Sequence, residues 1–552
     1  MITVTELLLE RVEAEPDRTF IQELDGGTQT LQDFYTDTLR WADALASTGL
    51  SRGAAVATML RNSARSFHSY LGASFAGGVE VPLNLELRGA TLIHALNASR
   101  AETLVLESRH LEQVAEVADE LTSLRRMILF GTDGTDGTDV RLSGLETVDG
   151  TALLAQATPR ERPVPDATDP AAVIFTSGTT GPAKGVVKPW GDMLQFTRDW
   201  WHGEPSQPIE DGGYYQIWPT FHMSGKSALT FCLDAQLRMV IRERFSLSRF
   251  WDDIRVGRVS HCCFIFILPL LMRVPPRPDD ADNPLEVAEI CPLTGAYREF
   301  QERFGVRTVI TGWGMTEAGQ PIGTVEPTDA KSCGRPYPGT DVRLVDDDGR
   351  PVPDRIPGEL LVRTTPTRAN GYYLGLPEAS AEAWRDGWMH TGDSFVRDGD
   401  GNYFFVDRKK DALRRRGHNI SSMEVESELL VHPDVVECAC IGVPWDFAST
   451  SGGGTSTLED EEVKVYVCLA EGSTTTAADL IEFLRPRMPA FMLPRFVAFV
   501  QTLPKTPTGK LIKAELKTRL NTDSWDREAE RRLEPSARTH ETGVRPSVAR
   551  PG

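Results

Sequence analysis

Short runs of apolar and β-branched residues alternate along the chain with stretches in which apolar positions return at helical spacing. AAVIF at 171–175, RTVI at 307–310 and EVKVYVCLA at 462–470 read as buried strands, whereas TLIHALNAS at 91–99 and the segment from Arg40 to Thr48 read as helices. Such alternation predicts an α/β fold of layered sheets and helices. The opening MITVTELLLERVEAEP carries a capping box, Thr3 with Glu6, ahead of an amphipathic helix. It is acidic where an export signal is basic, so no such signal is expected. The apolar run from Cys262 to Met272 is too short to span a bilayer and contains Pro269, so it reads as a broken buried strand or a pocket wall.

Between these elements, GTDGTDGTD at 131–139 is all turn residues and reads as a surface spacer, and FASTSGGGTSTLEDEE from Phe447 reads as a flexible loop. From Asp407 the chain turns basic, DRKKDALRRRGHNI, then enters a helix at SSMEVESELL with Ser421 and Glu424 as a second capping box. Beyond it the strand EVKVYVCLA implies a second folded unit, and the polar, proline-bearing end reads as a disordered tail.

At 552 residues the chain exceeds what one hydrophobic core supports, and at 40% hydrophobic and 25% charged it has the composition of a globular protein. The boundaries expected are a large N-terminal domain at 1–409, a smaller α+β domain at 410–523 and a tail at 524–552. A formal charge of -20 argues against a nucleic-acid polyanion as partner, so any bound anion needs a local site. Eight cysteines lack zinc-site pairing and the density of a disulfide scaffold, which fits a cytoplasmic location.

One such local site is legible in TSGTTGPAKGV, 176–186. Gly178, Gly181 and Gly185 allow backbone N–H groups to approach an anion, Thr176, Ser177, Thr179 and Thr180 add hydroxyls, and Lys184 adds a point charge. The loop follows a strand, but Lys184 is followed by Gly185 rather than Ser or Thr, so the Walker pattern of P-loop NTPases is absent.

FTSGTTGPAKGV resembles the signature of the adenylate-forming superfamily of acyl-CoA synthetases, peptide-synthetase adenylation domains and luciferases. Further similar motifs follow in the family's order: WPTFHMSGK (218–226), GWGMTEAG (312–319), GELLVR (358–363), WMHTGD (388–393), YFFVDRKKDALRRRGHNISSMEVE and LPKTPTGKL (503–511). Together they span residues 1–523. RRRGHNISS and TDSWDREA look most like the carnitine/crotonobetaine-CoA ligase branch.

The resemblance implies an AMP-forming acid–thiol ligase: ATP and Mg²⁺ convert a carboxylic acid to its acyl-adenylate, and CoA then takes the acyl group. It implies that Thr176 to Gly181 and Lys184 hold the β- and γ-phosphates, while Gly312, Trp313, Gly314 and Met315 lie along the nucleotide. Thr316 then binds the α-phosphate region, Glu317 binds Mg²⁺, and Asp393 and Arg408 bind the ribose hydroxyls. A carboxylate is already ionised at neutral pH, so the step needs charge neutralisation and alignment rather than a base. Lys510 is implied to bridge the α-phosphate and the acid. His222 is implied to line the carboxylate or thiol entry, with Trp218, Met223, Ser224 and the wall Phe264 to Leu268 around the acyl group. For the second step the family rotates its small domain about a hinge at Lys410, bringing Gly417 beside the pantetheine channel and Arg414 to Arg416 toward the CoA phosphates. The pocket candidates predict a largely apolar acyl group, and their aromatic rings also suit a quaternary ammonium.

Four departures from the family pattern stand out. The proline lies two positions before Lys184, at Pro182; Trp190 stands where the family commonly has histidine; Trp313 replaces tyrosine; and Cys291, Pro292 and Leu293 replace the small residues that pack on adenine. They raise one alternative, an enzyme specialised for thioesterification with impaired adenylation. A stand-alone adenylation domain loading a carrier-protein thiol is another, and a catalytically silent binding protein a third. The expected partner is a small carboxylic acid or its adenylate, without nucleic acid or stable membrane insertion, and with a homodimer as an open alternative.

Overall fold

The computed structural model describes residues 3–131, 142, 144–176, 183–200, 211–265, 267–363, 372–408, 413–415, 418–444, 461–506, 511–518 and 524–528. The chain divides into two compact units, Met1–Lys409 with Lys505–Lys510, and Lys410–Pro504 with Leu511–Gly552. The hinge position Lys410, most of the 131–139 spacer and the loop from Phe447 lie outside the described residues.

Among the described residues, the larger unit contains a fourteen-stranded and an eight-stranded sheet. In the first, the strands Gly213–Gln216, Val259–Ile265, Val287–Cys291 and Thr308–Met315 lie side by side and parallel. Gly319–Val325 then folds back antiparallel on Thr308–Met315. Parallel strands need both faces covered, and their near-continuous apolar composition supplies that core, with Phe264, Ile290, Val309 and Phe300 all buried.

The eight-stranded sheet places Pro170–Thr176 between Val79–Pro82 and Lys184–Pro189, with the short strand Tyr372–Tyr373 at its edge. A buried ion pair joins the sheet to the helix Met223–Asp234. Lys226 Nζ reaches Glu80 Oε2 at 2.6 Å, lies 4.3 Å from the Tyr70 ring centre, and Thr58 Oγ1 donates to Glu80 Oε1 at 3.0 Å. Burial pushes both ions toward their neutral forms, Glu80 up and Lys226 down, and their mutual attraction opposes it.

Local signals act as read at several ends. Thr3 and Glu6 form a complete capping box on Val4–Ala14, and the Ser421 hydroxyl accepts from the Glu424 N–H at 3.2 Å at the start of Ser422–Leu429. Pro269 differs from expectation: it sits in the first turn of the helix Leu268–Arg273, after the strand Val259–Ile265. A proline there removes only an N–H that the helix leaves unbonded, so it opens the element rather than breaking one.

In the smaller unit, Val435–Pro444, Glu461–Leu469, Phe496–Phe499 and Trp525–Asp526 form a four-stranded sheet over the helices Ser422–Leu429 and Ala477–Leu484. The last strand corrects the tail boundary, since Trp525 and Asp526 pair with Val497 and Phe496. The reason is electrostatic as well as apolar: Asp526 and Glu528 face Arg495, and Trp525 packs against the core. The rest of the tail, 529–552, lies outside the described residues. Of the arginine run, Arg415 is buried, pairs with the fully buried Glu462 at 2.7 Å and donates to the carbonyls of Phe491 and Leu493. That charge is committed to the fold rather than available to CoA. Among the described residues, no helix is long and apolar enough to cross a membrane.

Candidate active site

The glycine-rich loop hangs from a β-hairpin. Thr176 ends one strand, Lys184 begins the next, and the two are cross-strand partners, with Thr176 Oγ1 donating to the Lys184 carbonyl at 3.4 Å. Ser177, Gly178, Thr179, Thr180 and Gly181 lie outside the described residues, as do Lys510, Gly417 and Arg416. The base of the loop is anchored from outside the hairpin, because His94 Nε2 lies 2.8 Å from the Ala183 carbonyl.

Lys184 does not stand alone. Its ammonium lies 4.7 Å from the ring centre of Tyr373, whose hydroxyl donates to Glu317 Oε1 at 3.0 Å. Tyr373 is held by backbone pairing with Val186, two residues beyond Lys184, so one short strand sets the spacing between the loop lysine and the carboxylate. Burial first, and then the Glu317 charge, raise the Tyr373 phenol, which keeps it a protonated donor. Thr316 and Glu317 occupy the turn between Thr308–Met315 and Gly319–Val325. That turn is fastened to the hairpin a second time: the buried Lys188 donates to the Thr316 carbonyl at 3.0 Å and to Asp192 at 3.2 Å.

Asp393 and Arg408 face each other across the antiparallel pair Trp388–Arg397 and Tyr403–Arg408, with Arg408 Nε 3.6 Å from Asp393 Oδ1. Trp313 Nε1 donates to Asp393 Oδ2 at 3.0 Å, and its ring meets Phe395 edge-on. The larger unit therefore gathers Gly312 to Glu317, Lys184, Asp393 and Arg408 onto one interconnected set of strand ends. Gly312 is required there by space, since a Cβ would lie 2.6 Å from Gln320 Nε2 and 2.7 Å from the Ile322 carbonyl.

His222 is the N-cap of Met223–Asp234 and its carbonyl accepts from the Lys226 N–H at 2.9 Å. Trp218 spends its indole N–H on the Cys263 carbonyl at 3.0 Å and is buried, as is Met223, while Ser224 is half-buried. Trp190, at the position where histidine was noted as common, is fully buried, stacks on Tyr70 and donates to Ser74. The Cys291–Pro292 peptide is cis.

Sequence reasoning passed over Tyr373, Lys188 and His94. Lys188 left a trace, a charge inside the apolar strand KGVVKP; Tyr373 left none, because its role depends on pairing with a strand nearly two hundred residues earlier. Among the described residues, no cluster of three His, Cys, Asp or Glu side chains forms a protein-only metal site. A single carboxylate such as Glu317 matches the donor set of Mg²⁺, which keeps waters and substrate phosphate oxygens for its remaining positions.

Comparison with known proteins agrees with this geometry. The model of the AMP-binding enzyme family matches residues 8–373, and that of the AMP-binding enzyme C-terminal domain matches 424–510. The crotonobetaine/carnitine–CoA ligase of Salmonella typhimurium is 30% identical over 496 residues, covering 87% of this chain and 91% of the relative. The fold is shared with ATP-bound MatB from Rhodopseudomonas palustris, with a TM-score of 0.79 at 24% identity and coverage of 94% of this chain and 98% of that one. It is shared likewise with the anthranilate CoA ligase AuaEII in complex with anthranoyl-AMP, with a TM-score of 0.81 at 22% identity and coverage of 93% and 96%.

Proposed function

We propose how this chain, which belongs to the AMP-binding enzyme family and is an AMP-forming acyl-CoA ligase, divides its chemistry among its own residues. In the first step the carboxylate of a small acid attacks the α-phosphate of ATP and pyrophosphate leaves. Lys184 and the loop 176–181 hold the departing phosphates, Thr316 meets the α-phosphate, and Asp393 with Arg408 holds the ribose. Glu317 is the residue that would hold Mg²⁺, which neutralises phosphate charge when bound. Lys510 screens the two anions as they approach. In the second step the CoA thiol displaces AMP after rotation at Lys410, with Gly417 and Arg416 at the channel.

The observation that carries this reading is Tyr373, which connects the phosphate-loop lysine to the carboxylate through one ring and one hydroxyl. Such a device has a use where a cation and a metal-binding acid must keep a fixed spacing around one polyphosphate. None of the eight cysteines forms a disulfide, which supports a reducing cytoplasm. The test is CoA-thioester formation followed by mass spectrometry over a panel of acids with ATP and CoA. Product dependent on all three substrates, with pyrophosphate exchange lost in Lys184→Ala, is expected; turnover indifferent to Lys184 would overturn the assignment.

One observation favours a second reading, a thioesterification specialist: Trp313 donates into Asp393, the carboxylate assigned to the ribose. Thioester formed from synthetic acyl-adenylate, with negligible ATP–pyrophosphate exchange for the matching acid, would select it. Robust exchange would exclude it.

A further inference from the structure

Four parallel strands end side by side beneath the nucleotide motif, at Gln216, Ile265, Cys291 and Met315. Val259–Ile265 and Val287–Cys291 are buried along their length and become half-buried only at Ile265 and Cys291, so the sheet opens at its carboxyl edge. Crevices at that edge are where open α/β sheets bind ligands. Ser224 and His222, at the start of the helix that follows Gly213–Gln216, flank the same edge and are half-buried.

Glu289 lies two residues inside this edge on Val287–Cys291, on the same face as Cys291 and therefore roughly 7 Å deeper. It is only 7% exposed. A carboxylate inside a parallel sheet requires compensation, and among the described residues no cation pairs with it. Its cross-strand neighbours are Cys263 and Ile310. One long contact, from Cys291 Sγ to Oε1 at 3.7 Å, meets hydrogen-bond geometry, while Oε2 has no partner among the described residues. Gln320 lies beneath Gly312, its Nε2 equally unpartnered and the residue 3% exposed.

A third unpartnered atom stands two strands away, on Gly213–Gln216, with Val259–Ile265 between. Gln216 is fully buried, and its Nε2 donates to the carbonyls of Trp218 at 2.8 Å and Gly225 at 3.2 Å, which fixes the amide's orientation and leaves Oε1 without a partner among the described residues. Buried polar atoms are satisfied in the great majority of cases, and leaving one unmade costs about 1–3 kcal/mol. Three such atoms lie within this one sheet, two of them acceptors, with Gln216 and Glu289 on the same face by register and separated by one strand, and a ligand bringing N–H donors in from the carboxyl edge would complete them.

We propose that Glu289 is the specificity-determining residue of the acyl site, and that the acid this enzyme activates carries a protonated amine at the end remote from its carboxylate. This rests on the ligase reading given above and names its substrate class. Burial pushes the Glu289 carboxyl up to about 8, and the nearby Cys263, Gln320 and Cys291 side chains oppose this only in part. The empty site thus avoids an uncompensated buried charge, and an incoming ammonium supplies the missing counter-ion and N–H donors together. A methyl-terminated acid of the same length leaves the carboxyl unpartnered, and sites built for a polar group reject analogues lacking it strongly.

The experiment pairs ω-amino acids, from β-alanine to ε-aminocaproate, with alkanoic acids of equal length and with their N-trimethyl derivatives. It measures CoA-thioester formation and, independently of turnover, the shift in Tm that each acid produces. At one length, wild type is expected to favour the primary ammonium over both analogues by at least about tenfold in kcat/KM and to show the larger Tm shift. Glu289→Gln and Glu289→Leu are expected to lose that preference while still turning over the alkanoate, with Glu289→Leu improving it. Equal or better use of alkanoates at every length, a preference for the trimethylammonium acid, or a preference unchanged in both variants would each overturn the proposal. Absence of thioester from every acid would count against the ligase reading instead, and the Tm shifts would still decide the role of Glu289.

Discussion

Two carboxyls, Glu80 and Glu289, are buried in the larger unit to nearly the same depth, and burial raises both. Glu80 has an ammonium at 2.6 Å and a threonine hydroxyl at 3.0 Å; Glu289 has one long thiol contact, from Cys291 at 3.7 Å. The first is closed, because every strong donor it needs comes from the chain. The second is open, with Oε2 unpartnered among the described residues. Equal burial therefore carries opposite meanings, and the identity of the partner separates a joint of the fold from a site of recognition. Glu317 and Asp393 fall between these limits: Glu317 accepts from the neutral donor Tyr373, and Asp393 accepts from Trp313 with Arg408 Nε at 3.6 Å.

The largest effect is expected where the closed pair is opened. Lys226→Met should destabilise the larger unit by about 3–5 kcal/mol in urea unfolding, because Glu80 is left as an unpaired buried acid. Adding Glu80→Gln should recover much of that loss. A Lys226→Met variant as stable as wild type would dissolve the distinction between the two carboxyls.

Opening is already the condition of Glu289, so its removal should stabilise, and only in a defined pH window. The folded group sits near 8 and the unfolded one near 4.5, so between those values the native state holds a proton that the unfolded chain has released. Wild-type stability should therefore fall as pH rises through this window, relative to Glu289→Gln. The advantage of the variant should grow to the order of 1–3 kcal/mol by pH 8 and be smallest below pH 4.5. Cys263, Cys291 and Tyr214 share its face of the sheet and Cys262 lies on the adjacent strand; burial raises all four, so none adds a competing titration in this range. Denaturant midpoints at several pH values would show the divergence, and parallel curves would refute it.

Smaller effects are expected at the intermediate pair. Tyr373→Phe keeps the ring beside Lys184 and deletes the donor to Glu317, so ATP–pyrophosphate exchange should fall about tenfold, the cost of one hydrogen bond to a charged group. Tyr373→Ala should cost more, since the ring is lost as well. Trp313→Phe keeps the edge contact with Phe395 and releases Asp393; a change of only a few-fold in KM for ATP is expected, with a decrease indicating that Trp313 competes with the ribose.

Much of the fold was legible because its signals are local. A capping box at Thr3 and Glu6, strand composition in AAVIF, and the ordered motifs each specify structure within a few residues. Pro269 and Trp525 were misplaced for the opposite reason: whether a proline begins a helix, or a polar end adds a strand, depends on what the flanking chain packs against. Within the site, the sequence pointed to the ends of interactions, Lys184, Glu317, Asp393 and Arg408, and omitted the connectors Tyr373 and Lys188. A single acid inside VAEIC and a single lysine inside an apolar helix were the available hints for Glu289 and Lys226. A charge in an apolar run marks a buried ion, but only the fold reveals whether a counter-ion waits beside it.

The strand Tyr372–Tyr373 also bears on the order of synthesis. It covers the edge strand Lys184–Pro189, yet roughly 190 residues must leave the ribosome between the two. At about 5–20 residues per second, that edge waits on the order of ten to forty seconds for its cover. An uncovered edge is a template for wrong pairing, and Lys188 and Pro189 are the residues that blunt it. The device that spaces lysine and carboxylate in the finished enzyme is thus also the last piece of its hairpin to arrive.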